Sequence, residues 1–113
     1  EFELPDETWM NAAGTVTGSG PAYFFYLCEL VEEKLKKLGF SEQIAREMAE
    51  QTFIGSAKLL EAGEKSAAEW RAAVTSKKGI TEAALNHLKT NHWDAIFWGG
   101  IEAARKRTEE LNQ

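Results

Sequence analysis

The sequence predicts an all-α domain of about five helices. Apolar residues recur at helical spacing along most of the 113-residue chain, and no run alternates with period two for long enough to form a strand. The two prolines, Pro5 and Pro21, lie outside the interiors of the predicted helices, and glycines separate several of the helical segments. These patterns together favour helices joined by short loops over any fold that contains a sheet.

The first helix is predicted over residues 20–38. Pro21 suits the first position of a helix, where its missing N–H is not needed, and Gly18, Ser19 and Gly20 form a turn before it. Residues 22–28 have no polar face. A helix that is apolar all round must be buried on every side, so other helices should surround it, either from this chain or from a second copy.

Glycine and capping residues set the limits of the second helix. Gly39 is expected to end the first helix, with Phe40 supplying the apolar contact that often follows such a glycine. Ser41 then caps a helix over residues 42–62, and Gly63 stops it.

Three shorter helices follow. Ser66 and Glu69 have the spacing of a capping box, which opens a third helix that reaches Val74. Residues 75–79 break the pattern, and a fourth helix runs from residue 80 or 81 to residue 89. Asn91 is expected to cap a fifth helix that continues to Leu111.

Composition narrows the possible functions. Hydrophobic content of 43% with 27% charged residues is ordinary for a globular domain, and no run has the length or pattern of a membrane span or signal peptide. A net charge of −5 argues against nucleic acid as a partner. The short cluster Arg105-Lys106-Arg107 is expected to complement the dipole of the last helix instead.

Cysteine usage and the first residue suggest where the protein acts. A single cysteine, Cys28, excludes a disulfide framework and a zinc site built on several thiolates, and no metal site is expected. Because Cys28 lies in the apolar run, it is expected to be a buried structural thiol in a reducing, cytoplasmic compartment. The chain begins at Glu1 instead of Met, so we expect it to be a piece of a longer protein.

One loop is a candidate ligand site. Residues 76–81 end at the start of a helix, where backbone N–H groups, the hydroxyls of Ser76 and Thr81, and the charges of Lys77 and Lys78 would suit a small carboxylate. A capped, solvated loop is an equally good interpretation. His87 and His92 lack the spacing of a zinc motif and are expected to be surface or interface residues.

Several motifs together resemble one enzyme family. They are Gly18-Ser19-Gly20-Pro21-Ala22-Tyr23, Leu38-Gly39-Phe40, QTFIGSAKLL at residues 51–60, Val74-Thr75-Ser76 with Gly79-Ile80-Thr81, and Ile101-Glu102-Ala103-Ala104. In this order and spacing, the chain resembles the C-terminal domain of pyrroline-5-carboxylate reductase. The resemblance covers residues 9–111.

The resemblance implies a fold, a reaction and a partner. The fold is an interleaved helical dimer of the 6-phosphogluconate-dehydrogenase C-terminal-like type, in which this chain pairs with itself. The reaction is hydride transfer from NADPH or NADH to 1-pyrroline-5-carboxylate, which gives L-proline. Residues 1–14 would be the linker from a missing nucleotide-binding domain and residues 15–113 the dimerisation and substrate-binding domain, so this chain alone should bind no cofactor and be inactive.

The resemblance also implies roles for particular residues. Thr81 would be the catalytic residue, placed near the imine nitrogen. The substrate would be bound by Val74, Thr75, Ser76, Gly79, Ile80 and Thr81. The dimer interface would include Pro21, Tyr23, Phe24 and Leu27.

Two departures from the family pattern leave alternatives open. Lys77 and Lys78 stand where the family usually has proline and glycine, and the chain has no G-x-G-x-x-G unit after a strand. A lysine in place of a glycine at positive φ would cost on the order of 1 kcal/mol. The chain could therefore also be a stand-alone or inactive helical dimerisation module, or part of a relative that reduces a different imino or keto acid.

Overall fold

Every regular element in the described part of the chain is an α-helix. The computed structural model describes residues 7–75 and 79–112. The helices are α1 (Glu7–Lys37), α2 (Glu42–Ala62), α3 (Ala67–Val74), α4 (Ile80–Thr90) and α5 (Trp93–Leu111). The prediction of an all-α chain with about five helices is confirmed. Within these residues, no helix combines the length and the hydropathy that crossing a membrane requires.

Helix α1 is much longer than the sequence suggested. It begins at Glu7, and Pro21 lies in its interior, so the prediction of a helix start at Gly20 with Pro21 in its first position is wrong. Pro21 has no N–H to give to the carbonyl of Thr17, four residues earlier, and it still does not end the helix. The expected turn over residues 18–21 is therefore a stretch of continuous helix.

The hydroxyl groups in the first half of α1 bond to the backbone of the same helix. The Oγ atoms of Thr15, Thr17 and Ser19 donate to the carbonyls of Asn11, Ala13 and Thr15, at 2.8, 3.0 and 2.6 Å. In a sequence, threonine and serine favour turns and helix caps, because their hydroxyls form hydrogen bonds with nearby backbone groups that compete with the helix. Here the same hydroxyls bond back onto the helix that contains them.

The predicted limits of α2 and α3 are confirmed. Gly39 has a φ of +109°, and the Phe40 N–H donates to the Leu35 carbonyl at 3.1 Å. The Ser41 hydroxyl accepts from the amide of Ile44 at 3.3 Å, and Gly63 ends α2 with a φ of +73°.

The start of α5 differs from the prediction. The side-chain amide of Asn91 donates to the His87 carbonyl at 2.8 Å, so Asn91 completes the end of α4 and does not cap α5. His92 occupies the N-cap position with a φ of +57° and makes no side-chain cap hydrogen bond. The sequence could not separate the two positions, because asparagine also suits the end of a helix.

The described residues form two compact units, residues 7–24 with 87–112, and residues 25–75 with 79–86. In the first unit, the hydroxyls of Thr15 and Thr108 are 2.9 Å apart. The rings of Tyr23 and Phe97 meet edge to face at 5.6 Å, and Trp93 stacks on Phe97 at 5.1 Å.

In the second unit, α2 packs against α3. Ala45 and Ala49 of α2 are the buried apolar residues of the described chain, each with no exposed surface. Phe25 and Tyr26 are 73% and 60% exposed. The apolar run at residues 22–28 is thus not enclosed within one copy of the chain.

Candidate functional site

The predicted substrate segment begins where α3 ends. Val74 is the last residue of α3 and its side chain is 59% exposed. Thr75 follows with φ −75° and ψ 114°, so the chain changes there from helical to extended backbone. The Thr75 hydroxyl donates to the Arg71 carbonyl at 2.6 Å, and its amide donates to the Ala72 carbonyl at 3.2 Å.

The segment ends where α4 begins. Gly79 has a φ of +81°, and its carbonyl accepts the first hydrogen bond of α4, from the amide of Ala83 at 2.9 Å. Ile80 is 74% exposed and Thr81 is half-buried in the first turn. The first N–H groups of a helix have no acceptor within it and carry partial positive charge, so this end of α4 favours an anion.

Ser76, Lys77 and Lys78 lie outside the described residues, so the contacts predicted for them stay predictions. The sequence left open whether this loop keeps a glycine at positive φ. Gly79 is such a glycine. The positive-φ glycine at the start of α4 is therefore present in this chain, whatever conformation Lys78 adopts.

Helix α3, which positions Thr75, is fixed at its start by the predicted capping box. The Ser66 hydroxyl accepts from the Glu69 amide at 3.1 Å, and the Glu69 carboxylate accepts from the Ser66 amide at 2.8 Å. The hydrogen bond from the Ser66 backbone is the main reason that the pKa of Glu69 lies below its ordinary value.

An aromatic side chain further holds α3. The ammonium group of Lys65 lies 5.0 Å from the ring centre of Trp70, within the range of a cation–π interaction. The indole Nε1 of Trp70 is buried and has no hydrogen-bond partner within the described chain.

The four predicted interface residues lie on one stretch of α1. Pro21 and Phe24 are exposed, and Tyr23 and Leu27 are half-buried. Tyr23 is already engaged within its own chain, since its hydroxyl is 2.5 Å from the Ser19 Oγ and its ring contacts Phe97. Their place in a dimer interface stays a prediction.

The predicted structural role of the lone thiol fits its surroundings. Cys28 was expected to be buried, but it is only half-buried. Desolvation raises its pKa, and the carboxylates of Glu50 and Glu32 add to that effect. A raised pKa leaves little thiolate at neutral pH, so this environment does not suit a nucleophile.

The basic cluster near the end of α5 is largely neutralised within the helix. Arg105 forms ion pairs with Glu102, at 2.6 Å, and with Glu109, and Arg107 pairs with Glu110 at 3.0 Å. The hydrogen bond from Arg105 is the main cause that lowers the pKa of Glu102. These pairs leave little unbalanced positive charge for nucleic acid.

In residues 7–75 and 79–112, no three His, Cys, Asp or Glu side chains are grouped as metal ligands.

One cavity was not predicted. It has a volume of about 440 Å³ and lies in the first unit, between the start of α1 and the end of α5. Its lining residues are Thr8, Trp9, Asn11, Ala12, Thr15, Arg105, Thr108 and Glu109. Nothing in the sequence pointed to it, because the first helix was predicted to begin at residue 20 and not at Glu7.

Comparison with known proteins identifies the family. The family model described as pyrroline-5-carboxylate reductase dimerisation matches residues 7–111. The chain belongs to this family. The pyrroline-5-carboxylate reductase of Pseudomonas aeruginosa is 39% identical over 108 residues, which cover 96% of this chain and 40% of that protein. Pyrroline-5-carboxylate reductase 1 of Bacillus subtilis is 36% identical over 95% of this chain and 36% of its own length.

Solved structures of pyrroline-5-carboxylate reductases share the fold. The Coxiella burnetii enzyme matches 96% of this chain with a TM-score of 0.87 and 32% identity. The NADP-bound pyrroline carboxylate reductase of Plasmodium falciparum also has a TM-score of 0.87, at 24% identity, which shows likeness of fold alone. This chain spans about 40% of the length of these relatives.

Proposed function

We propose that this chain is the dimerisation and substrate-binding part of a longer reductase that converts 1-pyrroline-5-carboxylate to L-proline with NADPH or NADH. The observation that carries the proposal is the match of the pyrroline-5-carboxylate reductase dimerisation family to residues 7–111. The identity of 39% to the Pseudomonas aeruginosa reductase, over nearly the whole of this chain, supports the same reaction.

The substrate carboxylate is bound between α3 and α4 in this proposal. The geometry that supports it is the start of α4, where Gly79 at positive φ leads into N–H groups that have no acceptor within the helix. Ser76 and Thr81 add hydroxyls, and Thr81 lies near the imine nitrogen as the catalytic residue. The exposed side chains of Val74 and Ile80 contact the apolar carbons of the substrate ring.

The nicotinamide cofactor does not fit this chain. A dinucleotide is commonly bound by a strand, a glycine-rich turn and a helix N-terminus in sequence. Residues 7–75 and 79–112 form helices without any strand, and the sequence has no G-x-G-x-x-G unit. The cofactor would therefore be held by another part of the longer protein. Residues 1–14, of which residues 7–14 are already helical in α1, would be the linker to it, and residues 15–113 would be the dimerisation and substrate-binding domain.

The partner of the exposed apolar residues is a second copy of this chain. Large apolar side chains left exposed in one place mark an interaction surface. Phe24, Phe25 and Tyr26 are each more than half exposed, while the buried apolar residues of the described chain are two alanines. A dimerisation family supports a homodimer as the arrangement that covers them.

We also infer a cytoplasmic location, which is supported by the unpaired Cys28.

Activity of the full-length protein tests the proposed reaction. Purified full-length protein should oxidise NADPH or NADH when 1-pyrroline-5-carboxylate is added, with L-proline as the product by mass spectrometry. The Thr81→Val variant, which keeps the shape of the side chain and removes the hydroxyl, should lower kcat by about tenfold or more. Thr17→Val is the matched control, since Thr17 is an exposed residue of α1.

Two results would contradict the proposal. Turnover of a different imino or keto acid, with none of 1-pyrroline-5-carboxylate, would indicate a relative with another substrate. A full-length protein that dimerises but turns over none of these substrates would indicate an inactive dimerisation module.

A further inference from the structure

Thr75 has already used both of its hydrogen-bond donors. Its hydroxyl donates to the Arg71 carbonyl at 2.6 Å, and its amide donates to the Ala72 carbonyl at 3.2 Å. A threonine residue has one hydroxyl donor and one backbone donor, so neither is left for another group. Both bonds lie in the last turn of α3, and the backbone becomes extended at this residue.

This arrangement limits what Thr75 can bind. An ionised carboxylate only accepts hydrogen bonds, so any residue that binds one must donate. Thr75 could donate to a carboxylate only by giving up a bond that ends α3. The lost bond offsets much of the gain, since one hydrogen bond would be exchanged for another.

We infer that Thr75 is a positioning residue and not a ligand of the substrate carboxylate. Its two hydrogen bonds end α3 and set the direction in which the backbone leaves the helix. The carboxylate is then bound by donors further along the chain. This inference rests on the proposed function, because it assigns a role within the segment that we propose binds 1-pyrroline-5-carboxylate.

The role predicts an effect before any substrate is bound. Without the hydroxyl, the bond to the Arg71 carbonyl is lost and the last turn of α3 should fray. Amide hydrogen exchange in that turn should then speed up in the ligand-free protein. A residue that acts only as a ligand would leave ligand-free exchange unchanged, so this measurement separates the two roles.

Two substitutions in the full-length protein test the inference. Thr75→Val keeps the branched shape and removes the hydroxyl, whereas Thr75→Ser keeps the hydroxyl. We expect Thr75→Val to raise the exchange rate of the last amides of α3 by about fivefold and to lower kcat/KM for 1-pyrroline-5-carboxylate by about fivefold, mainly through KM. Thr75→Ser should stay within about twofold of the unchanged protein in both measurements.

Two results for the Thr75 variants would overturn the inference. Thr75→Val with unchanged ligand-free exchange and reduced kcat/KM would overturn the inference, because it indicates a direct ligand. Unchanged activity and unchanged exchange would overturn it too. Should Thr75→Val fail to fold, Thr75→Ala makes the same comparison with Thr75→Ser. If the unchanged protein does not reduce 1-pyrroline-5-carboxylate, the proposed function fails, while the exchange data still decide whether the Thr75 hydroxyl holds the end of α3.

Discussion

A glycine at positive φ cannot be replaced by another L-residue without straining the backbone. Gly79 has a φ of +81° at the start of α4, and added side-chain atoms would meet nothing within 4 Å. The cost of a substitution there is therefore backbone strain and not a clash. An L-residue in this region costs on the order of 1 kcal/mol.

The first prediction concerns this strain. Gly79→Ala should lower the free energy of unfolding by about 1 kcal/mol and should also raise the KM for the proposed substrate. Gly14→Ala is the matched control, because Gly14 lies inside α1 with open space around it. That control should raise stability by about 0.5–1 kcal/mol through helix propensity. Urea unfolding at one fixed protein concentration measures both, and equal effects of the two substitutions would contradict the prediction.

A second prediction uses the carboxylate of Glu102. The hydrogen bond from Arg105 lowers the pKa of Glu102, so the pairing stabilises the folded chain above the ordinary glutamate pKa of about 4.3. This contribution is lost as the pH falls through the lowered pKa of the folded state. In an NMR pH titration, Arg105→Gln should raise the pKa of Glu102 toward the ordinary glutamate value, while Arg107→Gln should leave it almost unchanged. A Glu102 pKa that is the same in all three proteins would exclude the pairing.

At the scale of helices, the sequence predicted which segments are helical and where each helix ends, but it misplaced the first residues of α1 and α5. Gly39 and Gly63 mark helix ends because a positive φ at these residues stops the helix locally. Pro21 was misleading, since a proline suits the first position of a helix but can also lie inside one, as it does in α1. The site was predictable only in part. The break between α3 and α4 is visible in the sequence, but the use of both Thr75 donors is not, because a threonine after a helix can donate either to that helix or to another group.

The contact between α1 and α5 gives a prediction at this scale. The hydroxyls of Thr15 and Thr108 lie 2.9 Å apart, and each is also within hydrogen-bond distance of a carbonyl of its own helix. Since each hydroxyl has one hydrogen, one of the two donates across the contact while the other donates to its own helix. A double-mutant cycle with Thr15→Val and Thr108→Val should show a coupling energy of about 0.5–1.5 kcal/mol. A cycle that pairs Thr15→Val with Thr52→Val is the control, because the Thr52 hydroxyl donates to the Met48 carbonyl within its own helix, α2. Coupling in the control as large as in the first cycle would show that the effect is not specific to this contact.

At the scale of the whole molecule, one copy of the chain has too little core for its apolar content. Ala45 and Ala49 are the fully buried apolar residues of the described part, and neither has a large side chain. Sequence periodicity could identify helices with apolar faces, but it could not show that those faces remain uncovered within one chain. A periodic apolar stripe looks the same whether its neighbour belongs to the same chain or to another.

The last prediction tests whether a second copy covers these faces. Sedimentation equilibrium should show a dimer, and Phe24→Asp should weaken it, because Phe24 is 57% exposed in one chain and would be buried in the pair. Burying a phenylalanine side chain contributes about 1.5–3 kcal/mol, and two-fold symmetry places the substitution at two sites. The dimer Kd should therefore rise by about a hundredfold to ten-thousandfold. Lys36→Asp adds the same carboxylate to an exposed position of the same helix and should change the Kd by less than about tenfold. A folded monomer at high concentration, or equal effects of the two substitutions, would exclude an interface that buries Phe24, and the exposed apolar residues of α1 would then need a different partner.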